Sequence, residues 1–280
     1  MSMTNTDPNK VNYFPKFDWP RIHNPAVRFP LNDANLAQVV EDEKKAVNEI
    51  KEALRVHGDD IAGLIIEPIQ AEGGDNHFRK EFLQTLRTLC DENDIMLIFD
   101  EVQTGIGLTG KMWAYEHFVE PDMISFGKKT QVCGFMSSAR IDDVPENVFH
   151  KAGRINSTFG GNLVDMVRFT KILEVIEEEN LLANAATVGE HLQGRLQELQ
   201  SEFPGLISNA RGLGLFCAMD MSSTENREML RKKAYEKGLI ILGCGDRAIR
   251  FRTALNVTSD DVDEGIGILR SSLKELPKGN

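Results

Sequence analysis

Met96-Leu-Ile-Phe-Asp-Glu-Val-Gln-Thr-Gly105 is an apolar β-type run that delivers a carboxylate, Asp100, at its end and then turns. Pro121-Asp-Met-Ile-Ser-Phe-Gly-Lys-Lys-Thr130 repeats the design and ends in the amines of Lys128 and Lys129. Upstream, Ile61-Ala-Gly-Leu-Ile-Ile66 reads as a buried strand closing at Glu67-Pro68, and a helix is expected from about Lys80 to Asp91. Strand, helix and strand in this rhythm argue for an α/β fold with a mostly parallel sheet covered on its faces. Ligands of such sheets gather at the carboxyl ends of the strands, where Glu67, Asp100 and Lys129 fall.

The flanks differ in texture. Residues 1–35 are irregular, and the prolines of Tyr13-Phe-Pro-Lys-Phe-Asp-Trp-Pro-Arg-Ile-His-Asn-Pro25 rule out a regular helix there. Leu36, Val39, Val40, Ala46, Val47, Ile50 and Leu54 are spaced for a helix over 36–57. After Gly160-Gly161 the pattern is helical from about Leu163 to Phe203, punctuated by Asn180 and Pro204. Short strands are expected at Leu213–Met219, Leu239–Leu242 and Ile249–Phe251, with helices near 224–237 and 259–275. The boundary is expected near residue 165, with residues 1–165 forming the sheet-based part and 166–280 a linking helix and a smaller α+β C-terminal part.

Composition narrows the function classes. The chain has 280 residues, 41% of them apolar, with 32 basic against 43 acidic side chains and a net charge of −11. That charge opposes nonspecific nucleic-acid binding and favours small-molecule partners. No apolar run approaches the roughly 20 residues of a membrane span. Cys90, Cys133, Cys217 and Cys244 are scattered without metal-ligand spacing, and no metal is expected. They read as reduced thiols of a cytoplasmic protein, two or three of them in the core.

An amine and a carboxylate delivered by separate buried strands are what pyridoxal 5'-phosphate requires of a protein. The lysine holds the aldehyde, and the carboxylate keeps the ring nitrogen protonated so that the ring accepts electrons. The plainer reading of Asp100 is a strand-end cap on the turn before Gly105. Between Lys128 and Lys129 the run itself does not choose.

Glu67-Pro-Ile-Gln-Ala-Glu-Gly-Gly74, Phe99-Asp-Glu-Val-Gln-Thr-Gly105, Gly127-Lys-Lys-Thr-Gln-Val-Cys-Gly134 and Asn156-Ser-Thr-Phe-Gly-Gly-Asn162 together resemble the class III aminotransferases, fold type I pyridoxal phosphate enzymes, in order and separation. Phe14-Pro-Lys-Phe-Asp-Trp-Pro-Arg21 and Lys128-Lys-Thr-Gln-Val-Cys-Gly134 look more like the lysine 6-aminotransferase branch than like ornithine or 4-aminobutyrate aminotransferases.

The resemblance implies roles. Counting back from Cys133-Gly134 selects Lys129 as the lysine that binds the cofactor and then shuttles the proton. Asp100 is the implied partner of the ring nitrogen, Gln103 of the phenolic oxygen, and Thr158 of the phosphate in the neighbouring subunit of a homodimer with shared active sites. The plainer reading of Thr158 is a helix cap. Glu72 and Arg250 match a pair that masks the arginine from an amine donor and opens to bind the carboxylate of 2-oxoglutarate. Arg252 is close enough to leave that assignment open, and the plainer reading of Ile249-Arg-Phe-Arg252 is two charges facing outward on an edge strand. The implied reaction moves the ε-amino group of L-lysine to 2-oxoglutarate, with ornithine and 4-aminobutyrate as alternative donors.

Gly105-Ile-Gly-Leu-Thr-Gly110 lacks dinucleotide spacing and reads as an active-site turn; Arg211-Gly-Leu-Gly214 reads as a strand entry. The six histidines, His77 included, read as structural or surface groups. Family members carry a considerable segment before the point matching Thr4-Asn5-Thr6, including the phosphate-binding turn and the aromatic that stacks on the ring. Those features have no counterpart here, so the sheet is expected to be incomplete, with exposed apolar edges and impaired activity. The alternative from another class is a non-catalytic dimerising fragment.

Overall fold

The computed structural model describes residues 11–277, and two sheets organise them. The first comprises β1 (Gly63–Ile66), β4 (Met96–Asp100), β5 (Met123–Phe126) and β6 (Gly134–Ser137) in the order β1-β4-β5-β6. β1, β4 and β5 run parallel, and β6 is antiparallel to β5. Register aligns the ends: Ile66 lies opposite Phe99, and Asp100 opposite Ser125. Glu67, Asp100 and the turn holding Lys128 and Lys129 therefore emerge side by side. A two-stranded pair, β2 (Ile69–Gln70) and β3 (Asn76–His77), follows β1.

Helices cover the parallel strands. α1 (Asp33–His57) starts three residues earlier than its apolar spacing suggests, because Asn32 caps it by accepting from the Asn35 N–H at 2.9 Å. It buries Val39, Glu43, Ala46 and Ile50, one stripe at helical spacing. Glu43 receives two Arg79 N–H groups at 2.8 Å, which ties α1 to the start of α2 (Lys80–Glu92). Phe82, Leu83, Leu86, Leu97, Phe99 and Ile124 fill the core between α2 and the sheet.

The second sheet is antiparallel, in the order β7 (Ile207–Leu213), β8 (Phe216–Met221), β10 (Ala248–Phe251) and β9 (Leu242–Cys244). Two expectations fail here. Leu213–Met219 is not one strand but the inner part of a hairpin that turns at Leu213–Phe216, and the Leu239–Leu242 strand begins only at Leu242. The polar stretch Ser208-Asn-Ala-Arg211 hid the outer arm of that hairpin. α3 (Leu163–Glu178) and α4 (Leu181–Glu202) split at Asn180, whose φ of 53° breaks the helical run. α4, α5 (Thr224–Glu236) and α6 (Ser259–Leu273) pack on the sheet around Leu196, Phe216, Met219, Leu230, Ile249 and Ile266.

The two regions meet backbone to backbone. A Cβ on Gly189 of α4 would lie 2.1 Å from the Gly214 carbonyl carbon, and one on Gly214 would lie 2.5 Å from that of Thr109. Leu215 donates its N–H to the Leu108 carbonyl at 2.8 Å, fixing the 105–110 turn against β8. Both edges of the mostly parallel sheet carry exposed apolar side chains, Ile65 on β1 and Phe135 and Met136 on β6. Cys90, Cys217 and Cys244 are buried and Cys133 is exposed.

Asp122 clamps β4, α2 and the segment after β6. Its Oδ2 accepts from the Leu97 N–H at 2.7 Å, from Arg87 at 2.8 Å and from Arg140 at 3.1 Å. Asp122→Ala removes that shared acceptor from a buried N–H and two guanidinium groups. Urea unfolding is expected to show a loss of about 3 kcal/mol, and Asp122→Asn a smaller one because it keeps an acceptor for Leu97.

Candidate functional site

Asp100 ends β4, and its Oδ1 accepts from the Val102 N–H at 3.1 Å, so it does cap its own turn as the plainer reading has it. The other carboxylate oxygen takes no part in that cap. Glu101, one residue on, points into the core at 1% exposure. It accepts from Thr104 Oγ1 at 2.5 Å and from the N–H groups of Ala114 and Tyr115 at 3.0 and 2.7 Å. Burial pushes its carboxyl above the usual range, against those three hydrogen bonds. Glu101 thereby holds the 101–115 segment in place and with it Gln103.

Lys129 follows β5 in a short 3-10 turn, Lys128–Thr130, bracketed by left-handed backbone at Lys128 and Gln131. Its Nζ donates to the Gln103 carbonyl at 2.7 Å. Burial, then the positive charges of Arg252 and Lys128, lower this amine to about 8, while Glu101 opposes them. Lys128 itself is exposed. An amine so held has a substantial neutral fraction near neutrality, which makes it both a nucleophile and a base.

Glu67, partly buried after β1, accepts from the Ala71 N–H at 3.0 Å. Burial is the main reason its carboxyl rises to about 7, and the nearby Asp100 charge adds to it. Lys129, Gln103, Ile106, Leu108, Arg252 and Leu255 line a cavity of about 640 Å³ between the turn after β5, α3 and the segment after β10. The charged groups on its wall among the described residues are all basic: Lys128, Lys129, Arg168, Lys171 and Arg252. Such a wall favours an anionic ligand.

The structure brings Glu72 and Arg250 together at 3.3 Å. β10 lies inside its sheet, between β8 and β9, so Arg250 is not an edge charge, and Arg252 follows the strand by one residue. Both side chains are only 13% exposed, and both face the loop after β2. Arg252 bonds the fully buried Asp75 at 2.6 Å and lies 3.5 Å over the Phe216 ring. Arg211, also fully buried, reaches the same loop. Asp75, Glu101 and Arg211 escaped the sequence reading. The one signal for Asp75 was the alternation of Arg250 and Arg252: two arginines on one strand face call for two acids.

Thr158 stands exposed on the turn before α3 and is not part of the cavity wall. It is not the helix cap either, since Asn162 caps α3 by accepting from the Val164 N–H at 2.9 Å. His77 is buried between Phe29 and Phe216, and burial drives its ring down to about 3. No helix among the described residues is long and apolar enough to cross a membrane.

Comparison with known proteins gives consistent relatives. The family model "Aminotransferase class-III" matches residues 1–273. L-lysine-epsilon aminotransferase of Mycobacterium tuberculosis is 47% identical over 274 residues, which cover 98% of this chain and 60% of the relative. The enzyme of the same name from Amycolatopsis lactamdurans is 48% identical over 98% of this chain and 61% of its own length. The pig mitochondrial 4-aminobutyrate aminotransferase is 35% identical over 86% of this chain and 48% of its own. A solved lysine aminotransferase from M. tuberculosis superposes with a TM-score of 0.94 at 47% identity, over 98% of this chain and 62% of that one. The chain thus spans about 60% of the length of the lysine-epsilon relatives it matches.

The Lys129 environment sets a pH test in the cofactor-free chain. Only a neutral amine attacks an acylating reagent, so labelling of Lys129 should rise with pH about a midpoint near 8. Arg252→Gln removes a cation that disfavours the protonated form, and the midpoint should move upward. Peptide mass spectrometry of the label across a pH series measures both midpoints.

Proposed function

The chain belongs to the class III aminotransferase family, and from that membership we propose that it acts in transamination with pyridoxal 5'-phosphate. The donor we infer is the ε-amino group of L-lysine and the acceptor 2-oxoglutarate, giving 2-aminoadipate 6-semialdehyde and glutamate. The observation that carries this reading is the partly buried Lys129 amine, lowered to about 8, set beside the carboxyl end of the Asp100 strand. The greater identity to lysine-epsilon aminotransferases than to the 4-aminobutyrate enzyme supports the choice of donor.

The donor set suits the ring-facing side of the cofactor. When bound, pyridoxal phosphate supplies an aldehyde and an electron-accepting ring. Lys129 would hold the aldehyde and later carry the proton to and from the substrate carbon. Its contact with the Gln103 carbonyl keeps the amine at the cavity wall. Asp100, with one carboxylate oxygen outside its own cap, would accept from the ring N–H and keep it protonated. The Gln103 side chain would donate to the phenolic oxygen. Thr158, exposed and away from this cavity, would serve the phosphate in a second copy, making the active unit a homodimer with shared sites.

Glu72 and Arg250 would deal with the two substrates in turn. Paired, the guanidinium is neutralised and an amine donor meets no repulsion; opened, it offers two parallel N–H groups to a carboxylate. The reading places the enzyme in the cytoplasm, in keeping with four free thiols.

Borohydride reduction of the chain with added pyridoxal phosphate, followed by peptide mass mapping, tests the reading. A reduced adduct on Lys129, absent from Lys129→Ala and from Lys128, is expected; a folded chain without it would not be a transaminase by itself. With the adduct in hand, an amine-donor panel should show L-lysine preferred over ornithine and 4-aminobutyrate. Equal use of all three would overturn the choice of donor.

A further inference from the structure

Glu72 and Arg250 are one of two matched pairs. Asp75, three residues along the same loop, meets Arg252, which follows β10 by one residue. Both guanidinium groups thus meet acids of one loop at the end of β10. The pairs differ in exposure. The Glu72 side chain is 38% exposed, whereas that of Asp75 is 0% exposed.

The inner pair is held from several directions. Arg252 stacks on Phe216 and donates its Nη1 to the Phe251 carbonyl at 2.8 Å, while its Nη2 reaches Asp75 at 2.6 Å. The loop backbone is tied as well. The Ala71 N–H donates to Glu67, and the Glu72 carbonyl accepts from the Gly245 N–H at 3.0 Å. The Gly74 and Asp75 carbonyls accept from Arg211 at 2.6 and 2.8 Å. A Cβ on Gly245 would lie 2.8 Å from the Gly74 Cα, so the β9–β10 turn rests directly on the loop.

We propose that the buried Asp75–Arg252 pair is a positioning device that locks loop 71–75 onto β10, confining exchange of the Glu72–Arg250 pair to rotation of the Glu72 side chain. The inference rests on the reading of Glu72–Arg250 as the exchangeable pair. Its consequence is a guanidinium that keeps one place whichever substrate arrives. The carboxylate of 2-oxoglutarate then meets Arg250 already aligned, with no loop movement to undo. Of the two acids on the loop, the exposed one has solvent to turn toward, whereas the buried one cannot leave its arginine without losing charge compensation.

Hydrogen exchange of the peptide covering 71–75, read in the full chain with pyridoxal phosphate added, decides the lock. Calorimetric affinity for 2-oxoglutarate on the same samples decides the exchangeable pair. Asp75→Asn should speed exchange of the loop amides by about tenfold and weaken 2-oxoglutarate by a smaller factor, because exchange follows the opening constant itself while affinity follows the fraction of loops that stay closed. Arg252→Lys keeps the charge but loses the planar stack, and it should fall between the parent and Asp75→Asn on both readouts. It also serves if Asp75→Asn fails to fold. Glu72→Gln should leave loop exchange within about twofold of the parent while tightening 2-oxoglutarate, since it removes the charge that masks Arg250 and leaves the Asp75–Arg252 pair in place. Unchanged loop exchange in Arg252→Lys, or acceleration in Glu72→Gln equal to that in the inner-pair variants, would overturn the lock. Unchanged 2-oxoglutarate affinity in Glu72→Gln would instead overturn the exchangeable pair, so the two ideas fail separately.

Discussion

A guanidinium cannot shed its charge, so Arg211, 2% exposed, must find an acceptor for its N–H groups inside the protein. It does so with the carbonyls of Gly74, Asp75 and Asn209 and with the Asp220 carboxylate. Two of those acceptors belong to the loop after β2, whereas Arg211 sits on β7 of the other sheet. Arg211 therefore finds these acceptors only by drawing that loop onto the antiparallel sheet. Once the loop is there, Arg250 of β10 and Arg252 just after it both have acids to meet, Glu72 and Asp75. The parallel sheet contributes separately, by ending three strands in register so that Glu67, Asp100 and Lys129 emerge on one side.

What the sequence discloses follows from this division. Groups placed by local chain geometry were legible: an apolar run ending in Asp100 or in Lys128-Lys129 announces a strand end. Groups placed by distant partners were not. Ser208-Asn-Ala-Arg211 lacks the apolar alternation of a strand because its arginine is satisfied by another part of the chain, and so the outer arm of the hairpin went unseen. Gly73-Gly-Asp75 is a turn, with Asp75 at a φ of 52°, and nothing local tells that its carboxylate is buried. The edge reading of Arg250 and Arg252 failed for a related reason. β9 covers the far side of β10, yet it is only three residues long and begins where the apolar run Leu239–Leu242 ends.

The electrostatics of the cavity depend on one carboxylate being occupied elsewhere. Glu101 is the acid that favours a charged Lys129, but its two oxygens already serve Thr104 and two backbone N–H groups. Arg252 and Lys128 then weigh against the ammonium form together with burial. The turn that fixes Gln103 and the one pull toward the ammonium form thus come from the same buried acid.

Folding order gives these contacts a further meaning. Glu72 and Arg250 are 178 positions apart in the chain, and Asp75 and Arg252 are 177. During synthesis β1, β4, β5 and β6 have all emerged before β10 exists, so Asp75 precedes its guanidinium. Contacts of such separation close loops that span most of the chain and cannot form before their second partner exists. The acid–arginine constellation is therefore a record of assembly: a chain in which both pairs have formed has already set β10 in place.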